Sequence, residues 1–389
     1  MGYIRDRSPT CSSQPSTTRG FSRHTVLITS LVFNADDQRY PNSSLYNFLL
    51  VSPSIINKSY TTSSPDSPIT GLSQSYILAK MEESIENLDN KDVFEDFMDS
   101  FDTIITDCDG VLYINNDPID GVAKALNALR RFGKKVIFAT NNSTKNRIQC
   151  LQKLRKLGYD ANLNEVFPTS YASALYLKQI NFNRSVYVLG SQGIADELNL
   201  MGIKNFGVGP DVTPDEWAPG QARFKVDKQV GAVVVGFDNQ VSFKKLAKAC
   251  SYVKRPDCLF VASNADESFP SVSPDIFVPG PGLYVSAIKA GTGRDPIVLG
   301  KPGTYFFDII RSQHPYIDPT RTIMIGDRLT TDMPFGHKNG MSTLFVESGI
   351  GTKEEMFEFG TSNTYEARQC APDYYLPSLA SLNKFLTAY

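Results

Sequence analysis

Two aspartates two residues apart, in Asp107-Cys108-Asp109-Gly110, close an apolar run from Phe101 to Thr106. The run reads as a strand, and the acids leave it where an open α/β sheet exposes its chemistry, at the carboxyl edge. Two carboxylates in one turn repel each other unless a cation lies between them, and a hard ion held by oxygen, such as Mg²⁺, suits that charge. Taken alone, Asp-x-Asp-Gly also fits a surface turn. Three further segments decide between the readings.

Val136-Ile137-Phe138-Ala139-Thr140-Asn141-Asn142-Ser143 is a β-branched and aromatic run ending in small polar residues. It reads as a second strand whose tip offers a hydroxyl, an amide and free N–H groups at Thr140 and Asn141, with Asn142 in support and Ser143 capping the next helix. Ile297-Val298-Leu299-Gly300-Lys301-Pro302 is a short strand broken by Gly, then by a Pro suited to a first helical turn. It fixes Lys301 where an ammonium can neutralise a phosphoryl group. Thr322-Ile323-Met324-Ile325-Gly326-Asp327 is again a strand ending in an acid, followed five residues later by Asp332. Asp327 could complete a metal site. Asp332 reads either as a group orienting Lys301 or a metal-bound water, or as a helix N-terminal acid favoured by the dipole.

In order, spacing and residue type, these four segments resemble the four motifs of the haloacid dehalogenase superfamily. Within it they are most similar to the branch holding phosphoglycolate, para-nitrophenyl phosphate and pyridoxal-phosphate phosphatases, the yeast-like para-nitrophenyl phosphatases above all. The resemblance covers roughly residues 90 to 388. It implies a Rossmann-like α/β core with a large inserted α/β cap. It also implies that Asp107 is the nucleophile forming an aspartyl-phosphate, and that Asp109 is the general acid and then base. Mg²⁺ would be held by Asp107, the backbone carbonyl of Asp109, and Asp327; Thr140, Asn141 and Lys301 would bind phosphoryl oxygens, and Asp332 would support the metal or the lysine. Two positions depart from the pattern: Tyr113 stands where many relatives have Trp, and Pro281 where Thr or Ala is usual.

Alternatives from other classes are a non-catalytic phosphoryl-binding scaffold and a phosphomutase. A binding module has no need of a proton-transferring Asp109, nor has a dehalogenase. The cap loop Asn264-Ala265-Asp266-Glu267-Ser268-Phe269-Pro270 carries Phe269 where pyridoxal-phosphate-preferring relatives have His. Small anionic phosphates are therefore expected as substrates ahead of pyridoxal phosphate, unless Phe269 is simply a core residue of the cap.

A chain of 389 residues is expected to hold at least two domains. The net charge of −2 comes with no basic cluster, so nucleic-acid binding has no support. Six cysteines without C-x-x-C spacing fit a reduced, cytoplasmic setting, and three histidines outside the motifs argue against His-based hydrolysis. Residues 1–80 are rich in Ser, Thr, Asn and Pro without apolar periodicity, and are expected to be a disordered extension ahead of Met81. Their scattered Arg residues make a weaker case for a mitochondrial leader. No apolar stretch is long enough to span a bilayer.

The expected organisation is core over 81–146, inserted cap over 147–294 and core again over 295–389; the resemblance further implies a homodimer formed through the cap. Between the first two motifs there is room only for a hairpin around Asn115-Asn116-Asp117-Pro118, then an amphipathic helix from Val122 stopped at Gly133. Cap strands are expected at 185–189, 230–235 and 258–262, with a helix over Phe243 to Val253; the core should end on strands at 342–346 and 373–376.

Overall fold

Alternation of buried side chains to opposite faces builds two parallel sheets. The computed structural model describes residues 85–212, 224–269 and 275–386. The expected extension over 1–80 lies outside the described residues. In chain order the strands of the two larger sheets are β1 Glu86–Asn87, β2 Thr103–Thr106, β3 Lys135–Thr140, β4 Val166–Pro168, β5 Ser185–Leu189, β6 Asn205–Phe206, β7 Val230–Val235, β8 Leu259–Ala262, β9 Ile297–Val298, β10 Thr322–Gly326, β11 Ser342–Val346 and β12 Tyr374–Leu376. A seven-stranded sheet runs β1-β12-β11-β10-β2-β3-β4, and a five-stranded sheet runs β9-β8-β7-β5-β6. Every pairing in both is parallel.

The larger sheet explains where chemistry can sit. The chain steps from β2 through β3 to β4 in one direction and later fills β10, β11 and β12 on the other side of β2. Strand order therefore reverses between β2 and β10, and the loops leaving these neighbours diverge to open a crevice at their carboxyl ends. Register fixes the details: Ile325 pairs with Thr106, and the Asp107 amide donates to the Ile325 carbonyl at 2.8 Å.

One face of this sheet, through Ile104, Val136, Phe138, Ile323 and Ile325, packs on the helices Lys91–Ser100 and Val122–Arg131. The opposite face, through Ile105, Ile137, Ala139 and Met324, belongs to an apolar cluster that also takes in Val186, Val188, Val234 and Val261 of the smaller sheet. Helices Thr169–Gln179 and Thr304–Gln313 supply the filling between them, with Ala172, Leu177, Phe306 and Ile310. The two sheets thus share one core. Helices Phe243–Val253 and Gly282–Thr292 cover the far face of the smaller sheet.

The sequence-derived strands and helices recur, but the expected limits of the insert do not match the sheets. β4 pairs with β3, so the chain stays in the larger sheet beyond residue 147. Ile297 and Val298 pair with Val261 and Ala262, so the expected return to the core at 295 comes after, not before, that strand. The physical reason is length. A three-residue strand ending in Pro and a two-residue strand are too short to show a period. On sheet membership we propose that the insert runs from Ser185 to Val298.

The last core strand is tied down by a polar cluster. Asp373 Oδ2 accepts from the Thr343 amide at 2.8 Å and lies 3.4 Å from His337 Nε2, while His337 Nδ1 contacts the Gln369 carbonyl at 3.0 Å. Burial pushes His337 down, but the Asp373 carboxylate outweighs it and holds the imidazole above its ordinary value; Asp373 is held below its own. A raised His contributes stability that is complete below about pH 6.5 and is lost as pH rises through the folded value. The difference in melting temperature between wild type and His337→Gln should therefore be largest near pH 6 and shrink on the alkaline side. Thermal unfolding from pH 6 to 9 checks this, and a pH-independent difference would remove the charge explanation.

Candidate active site

The carboxyl ends of β2, β3 and β10 bring the four sequence segments together. Lys301, on the segment returning from β9, is 2% exposed and places its ammonium 2.8 Å from Asp107 Oδ1 and 2.8 Å from Asp332 Oδ1. Burial alone would lower the lysine, but the two carboxylates raise it above its ordinary range, so it stays charged. An ammonium has three N–H donors; these ion pairs use two, leaving one for a ligand oxygen. Asp332 opens the helix Asp332–Lys338 and also accepts from the Arg328 amide at 3.0 Å. Asp332 thus both starts a helix and lies against Lys301.

Asp107, Asp327 and Asp332 each offer a carboxylate oxygen within 4.8 Å of the others. Burial pushes Asp107 well above the usual carboxylate range, and pushes Asp327 up to about 7 with Asp332 adding to the effect. Three acids around one lysine leave an excess of buried negative charge, the condition a hard divalent cation relieves. The backbone is shaped for it. A Cβ on Gly110 would stand 2.3 Å from Asp327 Oδ2, and one on Gly349 would stand 1.9 Å from it. The Ile350 amide donates to Asp327 Oδ2 at 2.9 Å and sets the carboxylate's angle.

The Asp109 carboxylate lies outside that cluster and faces a different set. Thr140 Oγ1 is 3.4 Å from Asp109 Oδ2, and Asn142 is a second hydrogen-bond partner. Burial raises its pKa against the opposing pull of Lys153. A carboxyl whose burial favours its neutral form is suited to exchanging a proton with a bound group. Asn142 in turn accepts from the Thr144 amide at 2.9 Å and from its hydroxyl at 2.6 Å, which holds the loop after β3.

Asn141 lies in the site, but its side chain is engaged within the protein. Its Oδ1 accepts from the Lys301 amide at 2.8 Å, and its Nδ2 donates to the Lys301 carbonyl at 3.1 Å and to Asp266 Oδ1 at 2.9 Å. Asn264 Nδ2 donates to the Asn141 carbonyl at 2.6 Å. The side chain expected to bind phosphoryl oxygens therefore clamps Lys301 to the cap loop. Asp266, Asn264, Arg328, Lys153 and Phe237 were missed by sequence reading. Asp266 and Asn264 sat in a segment singled out only for Phe269, Arg328 stood unassigned beside Asp327, and nothing local marks Lys153 or Phe237.

A cavity of about 560 Å³ stands over these groups, lined by Asp107, Asp109, Thr140, Lys301 and Asp327 on one side and by Phe237 and Phe269 on another. The two rings meet edge to face at 4.9 Å, so Phe269 belongs both to the cavity wall and to an aromatic pair. Cys108, between Asp107 and Asp109, is buried and its thiol is pushed up, which keeps it protonated.

Two family profiles match the chain, one described as haloacid dehalogenase-like hydrolase over residues 104–204, the other as HAD-hydrolase-like over residues 298–382. Glycerol-3-phosphate phosphatase of Rattus norvegicus is 38% identical over 289 residues, covering 72% of this chain and 89% of that one. The chain belongs to the haloacid dehalogenase-like hydrolases. Phosphoglycolate phosphatase 2 of Arabidopsis thaliana is another relative of this hydrolase, 36% identical over 297 residues, with 75% of this chain and 96% of the plant protein covered. Among solved structures, the p-nitrophenyl phosphatase from Archaeoglobus fulgidus superposes with a TM-score of 0.62 at 27% identity, over 75% of this chain and 100% of that one. The α/β fold with its second sheet is thus the family's.

Gly110 has φ +85, where an L side chain costs about 1–2 kcal/mol before any clash. In this hydrolase Gly110→Ala should lower the melting temperature by several degrees and displace Asp327. Thermal unfolding together with phosphate release checks it, and a variant matching wild type in both would mean that the loop yields freely.

Proposed function

We propose that this protein is a Mg²⁺-dependent phosphatase of small phosphate monoesters working through an aspartyl-phosphate at Asp107. The observation that carries the reading is the pairing of Asp107 with Lys301 at 2.8 Å while Asp109, two residues on, faces Thr140 and Asn142 in a separate hydrogen-bond set. One carboxylate is turned toward positive charge and can attack phosphorus as an anion. The other, held apart from that charge beside Thr140 and Asn142, can give a proton to the leaving oxygen and later take one from water. Thr140 and the remaining Lys301 donor are placed to hold phosphoryl oxygens, and Asp332 keeps Lys301 in position. Asp107 and Asp327, with the Asp109 carbonyl, would hold Mg²⁺, whose contribution when bound is to screen the phosphoryl oxygens from the attacking carboxylate.

The names of the relatives support a phosphatase, among them phosphoglycolate phosphatase, glycerol-3-phosphate phosphatase and 4-nitrophenylphosphatase. Phe269 in the cavity wall favours small anionic substrates over pyridoxal phosphate, because a phenyl ring leaves a pyridine substituent without a hydrogen-bond partner. Exposed Ile276, Phe277 and Leu283 give the insert apolar surface suited to a homodimer, and the free cysteines suit the cytoplasm. Among the described residues no helix is long and apolar enough to cross a membrane.

Asp107→Asn should abolish steady-state phosphate release from para-nitrophenyl phosphate, since an amide forms no acyl phosphate, and should leave the fold intact by circular dichroism. Turnover above background in a clean preparation would sink the nucleophile assignment.

Metal binding has a readout that does not depend on turnover. With Asp327 raised to about 7, the metal-free protein holds a proton there that the unfolded chain gives up near pH 4, so its stability falls as pH rises between those values. Mg²⁺ competes with that proton. Its gain in melting temperature should be several degrees at pH 8, smaller at pH 5, and absent in Asp327→Asn. An equal gain at both pH values would contradict Asp327 as a ligand.

A further inference from the structure

Four cationic side chains line the cavity: Lys145, Lys153, Lys301 and Arg328. Three are engaged with the protein. Lys301 is held by Asp107 and Asp332. Arg328 donates to the Ser268 carbonyl at 2.9 Å and acts on Asp266. Lys153 donates to the Asn115 carbonyl, lies over the Tyr113 ring at 3.4 Å, and acts on Asp109. Lys145 differs: among the described residues its ammonium has neither a carboxylate nor a carbonyl partner, although the residue is half-buried.

Its backbone is held firmly. The Lys145 carbonyl accepts from Ser170 Oγ at 2.6 Å, and helix Gln192–Leu200 comes so close that a Cβ on Gly193 would stand 2.5 Å from the Lys145 carbonyl carbon. The residue sits on the same loop as Thr140 and Asn142, which face Asp109. A cation without a carboxylate or carbonyl partner, on a fixed backbone at the wall of a ligand-sized cavity, is suited to receive an anion.

Resting on the phosphatase reading above, we propose that Lys145 receives a second anionic group of the substrate, a carboxylate on the alcohol portion. The preferred substrates are then short phosphorylated hydroxy acids rather than phosphorylated polyols. Lys301 and the acids at the strand ends take the phosphoryl end. Neutral Asn115, Asn116 and Thr144, which also line the cavity, solvate the atoms between without adding charge. A carboxylate on Lys145 forms a charge-assisted hydrogen bond, whereas a hydroxyl in its place gains only a neutral acceptor's share.

The test uses the full chain with Mg²⁺ and three substrates: phosphoglycolate, glycerol 3-phosphate and para-nitrophenyl phosphate. Wild type should show a higher kcat/KM for phosphoglycolate than for glycerol 3-phosphate. In Lys145→Gln the ratio of kcat/KM for phosphoglycolate to that for para-nitrophenyl phosphate should fall at least about tenfold, mainly through KM, and Lys145→Arg should restore most of it. A wild-type preference for glycerol 3-phosphate, an unchanged ratio in Lys145→Gln, or an equal fall on all three substrates would each overturn the assignment while leaving the phosphatase reading intact. Failure of wild type to hydrolyse any of the three would overturn both.

Discussion

Everything in the site depends on one buried ammonium between two carboxylates. Lys301, Asp107 and Asp332 are all withdrawn from water, and removing an ion from water costs several kcal/mol unless its partners are well placed. The lysine is placed by backbone and not by its own flexible stem. Asn141 holds both the amide and the carbonyl of Lys301, and the strand before it is paired into the smaller sheet. The position of Asp107 is set in turn by the register of β2 against β10. Distances of a few tenths of an ångström at Asp107 thus trace to strand pairing in both sheets.

The arrangement also explains why the second sheet is more than a lid. Asp266, Asn264 and Ser268 reach across from the insert to Asn141 and Arg328, so the substrate-facing loop and the catalytic loops share hydrogen bonds. Gly280 and Gly282 are required beneath that loop, because a Cβ on either would stand 2.2 Å or 2.6 Å from a carbonyl oxygen of Asp266 or Ala265. Pro281, which departs from the family's usual residue, lies between them and opens the helix that follows.

Much of this was legible in the sequence because strands buried on both faces leave near-continuous apolar runs, and acids at their ends stand out against them. Asp107, Asp109, Lys301 and Asp327 were found that way, and helices Val122–Arg131 and Phe243–Val253 from their apolar spacing. What could not be read depends on chain return. Val166–Pro168 and Ile297–Val298 are too short to carry a period, so the sheet each of them joins could not be read. The bonding of the Asn141 side chain could not be read for a similar reason: its partners lie 125 and 160 residues away, and a local motif shows a polar group without showing what it bonds.

The apolar cluster joining the two sheets has a consequence for how a substrate enters. Swinging the smaller sheet away from the larger would expose Ile105, Ile137, Val188, Val234 and Phe306 together, a cost far above that of a side-chain or loop movement. Access is therefore governed at the rim, by the hairpin Tyr113–Pro118 and the short ribbon of Ser268–Phe269 with Val278–Pro279, each only two residues per strand. Rim segments of that size open in nanoseconds to microseconds. Movement confined to the rim would leave the buried ion triad in register.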